Sequence, residues 1–196
     1  MSRARLPAAA AALLALATSC ALFQRGKSLE VDHYTPERPE IGVARRPGDG
    51  APSLRLGHVA SGPDLGERIA YRDGVYRVGY YEGRRWTDRP ELYVRRTLAK
   101  ALFEEGGFRR ALSGEGPTLD VEVLSFEEVK SRAAHAAHIV LRIVVSIDRV
   151  LLEDTVEEYE PVVGGSFDDV VAAMAAALDR TTMEVRRRVA TVLTRP

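Results

Sequence analysis

Every second residue from Ile139 to Ile147 carries a branched aliphatic side chain. The positions that face the other way include Arg142, Ser146 and Asp148. Because the side chains of a β-strand alternate between its two faces, this pattern predicts a strand with one buried face and one wetter face. A sheet with one buried face needs a second layer to cover it.

Two amphipathic helices are predicted to supply that layer. Asp88-x-x-Glu91 resembles a capping box and opens a helix that ends near residue 106. Ser166-x-x-Asp169 opens the final helix in the same way, and an apolar stripe follows each start. The stripes contain Val94, Leu98, Ala101 and Leu102 in the first helix, and Val170, Met174, Leu178, Val185, Val189 and Val192 in the second.

The remaining patterns predict strands. Residues 69–72 and 75–81 flank Asp73-Gly74, a pair that favours a type I′ hairpin because both turn positions need positive φ. The other strand patterns lie at residues 54–60, 119–123 and 150–156. The order β-β-β-α-β-β-β-α, with room for one short strand after the first helix, predicts an α+β fold. It is a two-layer domain with a mainly antiparallel or mixed β-sheet and two amphipathic helices packed on one face.

The N-terminus has the features of a secretory signal. Two arginines precede a twelve-residue apolar run at residues 6–17, which is too short to cross a bilayer as a helix. Residues 16–20, Leu-Ala-Thr-Ser-Cys, resemble a bacterial lipobox, so Cys20 is predicted to become the lipidated first residue of the mature chain. Ordinary cleavage after Ala15-Leu16-Ala17 remains the alternative, and it would leave a soluble protein with a free thiol.

A tether is predicted between the lipidated cysteine and the folded body. Prolines and glycines are concentrated from Pro36 to Pro52, where neither a regular helix nor a central strand can continue. We therefore predict a lipoprotein signal peptide at residues 1–19, the lipidated Cys20 with its tether at residues 20–52, and a periplasmic α+β domain at residues 53–196.

Charge and cysteine content exclude several classes of protein. The chain has 28 Lys+Arg and 28 Asp+Glu, and therefore lacks the basic excess typical of a nucleic-acid binder. Loss of Arg3 and Arg5 with the signal would leave 26 basic and 28 acidic residues, a net charge of −2, so charge should contribute little to membrane binding. A single cysteine excludes an intramolecular disulfide and any multi-cysteine zinc or iron–sulfur site.

The sequence contains no convincing catalytic, cofactor or metal motif. His135-x-x-His138 is the closest histidine pair, and a spacing of three on one strand would place the two rings on opposite faces. The carboxylates between Glu153 and Glu160 are predicted to charge an exposed strand, which discourages pairing at its edge. Their use as an acid–base pair in a hydrolase is the enzymatic alternative.

Aromatic residues are concentrated in the predicted hairpin. Five of them fall within sixteen residues, namely Tyr71, Tyr76, Tyr80, Tyr81 and Trp86. They either pack the hairpin under the first helix or form a partner-binding surface, because Tyr and Trp bury a large area while keeping a polar contact. We retain all five as partner-binding candidates.

The order and spacing of these features resemble the ABC-type transport auxiliary lipoprotein family, the PqiC-like proteins. The residues that carry the resemblance are Cys20, His33-Tyr34-Thr35, Ile69-Ala70-Tyr71-Arg72, Val78-Gly79-Tyr80, Arg85-Trp86, Pro90, the strand from Leu119 to Phe126 and the Ala-rich final helix. The long Pro/Gly-rich segment and the Tyr34-Thr35-Pro36 sequence depart from the family pattern.

The resemblance implies a function at the cell envelope. It implies an outer-membrane lipoprotein on the periplasmic face of a Gram-negative cell, with Ala21 after Cys20 pointing to outer-membrane sorting. Such a protein is a non-catalytic accessory subunit of an MCE-type ABC transport system for phospholipids, which supports envelope integrity. Its partners would be an MCE-domain protein and ABC transporter subunits, and a homo-oligomer is the further option. Another envelope assembly lipoprotein, for a lipopolysaccharide translocon or for secretion, is the alternative.

Overall fold

The computed structural model describes residues 30–38, 48, 50–105, 107–112, 116–131 and 134–194. The predicted signal peptide and Cys20 lie outside these residues. The elements are β1 (Asp32–Tyr34), β2 (Ser53–Ser61), β3 (Arg68–Asp73), β4 (Arg77–Trp86), α1 (Pro90–Ala99), β5 (Arg109–Arg110), β6 (Thr118–Lys130), β7 (His135–Ser146), β8 (Val150–Pro161) and α2 (Phe167–Leu193). A π-helical turn at Lys100–Glu104 continues α1.

The eight strands of the described residues form one open, mixed sheet that forks at β6. One edge of β6 pairs antiparallel with β7 over its whole length. Its other edge is shared, because the first half pairs parallel with β2 as far as Val123, and the second half pairs parallel with β3 from Glu127 onwards. Strand β5 extends the first branch, and β4 and β1 extend the second, while β8 pairs with β7.

Both helices cover the same face of the sheet, and the α+β prediction is confirmed. Leu141, Ile143 and Val145 of β7 are fully buried against them, as the alternation predicts. The apolar stripes of both helices pack into the same core. Burial of each large apolar side chain stabilises the folded state by about 1.5–3 kcal/mol. Neither helix in the described part of the chain is both long and apolar enough to span a bilayer.

Strand β1 lies inside the segment predicted as a tether. Asp32–Tyr34 pairs parallel with Arg84–Trp86 of β4, and the Tyr34 carbonyl accepts a hydrogen bond from the Thr87 N–H. The sheet therefore begins upstream of Ser53, and the whole Pro/Gly-rich segment from Pro36 to Pro52 lies between β1 and β2 in the sequence. Only residues 21–31 separate Cys20 from the first strand.

The local motifs at the hairpin and the first helix differ from the predictions. Asp73 stays in β3 opposite Arg77, and of the turn residues only Gly74 has a positive φ, of 72°, so the type I′ prediction is wrong. The prediction of a capping box at the first helix is also wrong, because Arg89 is the N-cap and makes no side-chain cap hydrogen bond. The Asp88 N–H donates instead to the Tyr93 hydroxyl at 2.9 Å.

The second capping box is confirmed. The Ser166 hydroxyl accepts a hydrogen bond from the Asp169 N–H, and the Asp169 carboxylate accepts one from the Ser166 N–H at 2.8 Å. These bonds satisfy two donors that the helix would otherwise leave unpaired, and they fix the start of α2 against the sheet.

A bulge in β2 depends on a glycine. The register between β2 and β6 shifts between Leu56 and Val59, and the His58 N–H donates to the Asp120 carboxylate at 2.7 Å. A Cβ at Gly57 would lie 2.3 Å from the carboxylate oxygen of Asp120. Gly57 therefore leaves the room that the Asp120 carboxylate occupies when it accepts the His58 N–H at the bulge.

We expect Gly57→Ala to lower the free energy of unfolding by about 1–3 kcal/mol, because the new methyl group must displace the Asp120 side chain. Urea denaturation followed by circular dichroism measures the change. Gly66→Ala is the matched control, since a Cβ there meets no atom within 4 Å. Equal stability of the two variants would contradict the assigned role of Gly57.

Candidate partner-binding site

The five aromatic candidates of the hairpin occupy three different environments. Trp86 is 1% exposed and lies in the core, with its ring centroid 6.2 Å from that of Tyr93 and 5.6 Å from that of Phe126. It packs beneath α1 and is not available at the surface of the folded chain. The tyrosines divide between the helix-covered face, the uncovered face and the hairpin turn.

Tyr71 and Tyr81 lie on the helix-covered face, where they join the hairpin to the start of α2. The Tyr81 ring centroid is 5.2 Å from that of Tyr71 and 4.9 Å from that of Phe167. Phe167 also contacts Tyr34 of β1, at 4.7 Å between centroids, and the Arg84 guanidinium lies 4.1 Å above its ring. These edge-on and cation–π contacts hold β1, β4 and α2 together.

The buried Glu128 carboxylate holds the Tyr81 hydroxyl in place. Glu128 accepts hydrogen bonds from the Tyr81 hydroxyl and from His135 Nε2, the latter at 2.6 Å, and its carboxylate is 3.3 Å from Lys130 Nζ. Burial, together with the hydrogen bond to Glu128 and its charge, raises the pKa of Tyr81 well above the usual value. Tyr81 is therefore a permanent hydrogen-bond donor here and has a structural role.

Tyr80 points to the uncovered face of the sheet, where a groove of about 510 Å³ opens at the fork. The groove has mixed walls, lined by Leu65, Arg72, Val78, Tyr80, Leu124 and Glu127 among others. The Arg68 guanidinium lies 3.9 Å above the Tyr80 ring, and the Tyr80 hydroxyl donates to the Asp64 carbonyl at 3.2 Å.

The groove exists because β6 changes partners there. The register between β6 and β7 shifts between Val123 and Ser125, so Leu124 is an extra residue in the ladder and its side chain is exposed. The same residue lies between the last pairing with β2 and the first pairing with β3. The gap between the two branches thus carries exposed apolar side chains beside paired charges, as a specific protein-binding surface does.

Tyr76 lies at the turn of the hairpin and is 95% exposed. The turn is formed by residues 74–76, and the neighbouring Val75 is exposed as well. Tyr76 is thus separated from the groove and from the aromatic cluster around Phe167.

A hydrogen-bonded network under the groove was not predicted from the sequence. Arg72 binds the Glu127 carboxylate with two N–H groups, at 2.7 and 3.2 Å. His138 Nδ1 lies 3.2 Å from the Ser125 hydroxyl, and its Nε2 lies 2.9 Å from the Glu157 carboxylate. The network ties β3, β6, β7 and β8 together, and its members are too far apart in sequence to form a recognisable motif.

The two histidines of the His135-x-x-His138 pair have separate partners. His135 binds Glu128 in a pocket beside the start of α2, whereas His138 lies among Ser125, Glu157 and the ring of Tyr159 on the uncovered face. The predicted placement on opposite faces is confirmed. Within the described residues, no cluster of three or more His, Cys, Asp or Glu side chains is arranged to hold a metal ion.

The acidic segment from Glu153 to Glu160 forms β8, an edge of the sheet as predicted. Its five carboxylates bind four basic groups, and only Glu158 and Glu160 share one. Glu153 binds Arg142, Asp154 binds Arg188, Glu157 binds His138, and Glu158 and Glu160 bind Arg180. The described contacts therefore give these carboxylates separate ion-pairing roles.

The ionised form of Glu127 stabilises the floor of the groove. Burial alone would raise the pKa of this carboxyl, but its polar contacts with His138 and Arg72 hold the pKa below the usual 4.5. A carboxyl whose pKa is lowered by folding contributes stability above its unfolded pKa, and this contribution is lost as the pH falls through its folded pKa.

We expect Glu127→Gln to lower the free energy of unfolding by about 2 kcal/mol at pH 7, because Arg72 and His138 lose their charged partner. The difference from the wild type should shrink as the pH falls from about 4.5 through the lower pKa of Glu127 in the folded chain, where this carboxyl becomes protonated. Urea titrations across this pH range measure it. Glu153→Gln, at an exposed ion pair on the same face, should change stability by less than about 0.5 kcal/mol.

A constant difference between wild type and Glu127→Gln across the acid range would contradict the assigned role of the Glu127 charge.

Comparison with known protein families shows which family the chain matches. A model of the family described as ABC-type transport auxiliary lipoprotein component matches residues 34–186. The match covers most of the described body, including the hairpin, the forked sheet and most of α2. A search of curated proteins finds no significant relative.

Solved structures share the fold. Protein XCC0632 from Xanthomonas campestris, of family model DUF330, is 20% identical with a TM-score of 0.69, over 83% of this chain and 96% of its own. An uncharacterised protein is 13% identical with a TM-score of 0.61, over 82% and 99%. The hypothetical protein CT253 from Chlamydia trachomatis is 10% identical with a TM-score of 0.50, over 74% and 99%. At these identities the likeness shows a common fold.

Proposed function

The chain belongs to the family of ABC-type transport auxiliary lipoprotein components, and on that premise we propose that it is a non-catalytic accessory subunit of an MCE-type ABC system for phospholipid transport. In this proposal Cys20 anchors it in the outer membrane, and the α+β body lies in the periplasm. The observation that carries the proposal is the family match across residues 34–186. The role of the body is positional: it holds a partner beside the membrane.

The groove at the fork is the proposed docking surface for the MCE-domain protein. Exposed Val78 and Leu124 flank the Tyr80 ring, while Arg72 and Glu127 are paired beneath them. Apolar side chains and a tyrosine around a paired charge are the features of binding hot spots, because water can be excluded without leaving a charge unpaired. On the helix-covered face, by contrast, the core side chains of the sheet are buried against the helices.

The charge pattern also supports a binding role. The described carboxylates of β8 each have a basic partner within the chain, so they stabilise the sheet instead of offering unpaired charge to a partner. Tyr71, Tyr81 and Trp86 support the hairpin from the other side. Of the five aromatic candidates, we therefore propose Tyr80 as the residue that contacts the MCE-domain protein.

Photo-crosslinking in the native envelope tests this proposal. With p-benzoylphenylalanine in place of Tyr80, we expect a covalent product with an MCE-domain protein, identified by mass spectrometry. The same label in place of Met183, an exposed residue of α2, is the control and should give no such product. Purification that recovers neither an MCE-domain protein nor an ABC subunit would contradict the proposed function, and an alternative assembly partner would be identified by the same experiment.

Val78→Asp and Leu124→Asp should each reduce co-purification of the MCE-domain protein by at least about tenfold, since each places an unpaired charge in the groove. Met183→Asp is matched in exposure, at 47% against 46% and 49%, and should leave co-purification unchanged. Circular dichroism checks that the three variants fold alike. Equal loss in all three, or in none, would exclude the groove as the docking surface.

Metabolic labelling with palmitate tests the proposed anchor. The wild type should carry the label and fractionate with the outer membrane, whereas Cys20→Ala should carry none and appear in the soluble fraction, because acyl chains in the bilayer supply the binding free energy. Ser28→Ala, outside the predicted signal and lipobox, should behave as the wild type. An unlabelled wild-type protein would contradict the anchor.

A further inference from the structure

One end of the sheet carries three large apolar side chains that are almost fully exposed. Val75 is 74% exposed, Tyr76 is 95% exposed and Val163 is 83% exposed. The first two form the turn between β3 and β4, and the third lies in the connection between β8 and α2. Nothing in the described chain covers them, and neither the core nor the groove uses them.

The strand register places these residues at the same end of the sheet. A continuous row of paired residues marks this end, consisting of Arg77, Asp73, Lys130, His135 and Val162. Val75 and Tyr76 lie beyond one part of the row, and Val163 follows its last member. The opposite end is marked by Thr118, Ser146 and Val150, roughly 40 Å away along β6.

The direction of β1 gives the end of the sheet from which the chain enters the first strand. Asp32 pairs with Arg84 in a parallel register, so the start of β1 points along β4 towards Arg77 and the exposed turn. Arg84 is seven residues from Arg77, a rise of about 23 Å. Cys20 is twelve residues before Asp32, and an extended chain of that length reaches at most about 40 Å, enough to reach the row.

We infer that this end of the body lies against the lipid surface in which Cys20 is anchored, with Val75, Tyr76 and Val163 in the interfacial region of the bilayer. The inference rests on the proposed acylation of Cys20. A tethered body meets the membrane at a high effective concentration, so a contact of only three side chains suffices to orient it. Tyrosine is suited to this depth because its ring is apolar and its hydroxyl is polar.

The contact is apolar and not charge-driven. The three cations beside the turn are already paired: Arg72 with Glu127, Arg77 with Asp73, and Lys130 with Glu128. The first turn of α2 adds the carboxylates of Asp168 and Asp169 at the same end. Within the part of the chain that the structure describes, this end has no excess of positive charge to attract anionic lipid, so neutral lipid should serve equally well.

Fluorescence quenching in vesicles tests the inference. Acylation occupies the chain's single cysteine, so Val75→Cys, Val163→Cys and Val150→Cys each introduce one reactive thiol for the fluorophore NBD. Val150 is an exposed valine at the opposite end of the sheet and provides the matched control. The full acylated chain is reconstituted in vesicles of phosphatidylethanolamine and phosphatidylcholine, with lipid brominated near the top of the acyl chains.

Because interfacial side chains lie about 5–10 Å into the headgroup and acyl boundary, brominated lipid should remove roughly half of the emission at positions 75 and 163. The emission at position 150 should stay within about a tenth of its unquenched value, since that end is roughly 40 Å away. Adding phosphatidylglycerol or salt should leave the pattern unchanged.

Quenching at position 150 instead, or at none of the three, would overturn the inference in a protein whose acylation is verified by mass spectrometry. Dependence on phosphatidylglycerol or loss in high salt would overturn the apolar contact. A blue shift at position 75 that grows with protein concentration, without quenching by the lipid, would assign this end to a second copy of the chain. Failure of acylation itself, detected by mass spectrometry before the quenching measurement, would count against the proposed function.

Discussion

The hydrogen-bond ladder between β6 and β7 is the interaction on which the rest of the sheet depends. It extends from Thr118 opposite Ser146 to Lys130 opposite His135, and shifts register only beside Leu124. With one edge of β6 committed to β7, the other edge has to pair with both β2 and β3. The change of partner coincides with the bulge, so the fork, the exposed Leu124 and the groove have one physical origin.

Periodic patterns were sufficient to predict the two layers, because alternation and helical stripes report which side chains must leave water. The α+β class, the buried face of β7 and the box at Ser166 follow from residues close in sequence. The three-residue strand β1 does not, since it is stabilised by pairing with β4 about fifty residues later. The first helix begins at Pro90 without a side-chain cap, and the Tyr93 hydroxyl accepts the Asp88 N–H beside it, a contact that no capping motif encodes.

The concentration of aromatic residues at the candidate site could be predicted from the sequence. Which of their side chains lie at the surface could not. Alternation separates Tyr80 from Tyr81, yet only the packing of Phe167 determines that the Tyr81 side is covered. The sequence does not show that Trp86 is buried while the nearby tyrosines are not. Its burial results from packing against Tyr93 and Phe126. The network under the groove joins Ser125, His138 and Glu157 from three strands, so its existence depends on the sheet topology.

Strand β1 also changes how the proposed anchor would act on the body. If the whole Pro/Gly-rich segment were a tether, the body could move far from the membrane and turn freely. With the sheet beginning at Asp32, only residues 21–31 intervene, so an acylated Cys20 keeps the body within about 40 Å of the lipid. The groove is on a face of the sheet and the exposed turn is at its end. One body can therefore contact lipid and partner together, because the two surfaces do not compete.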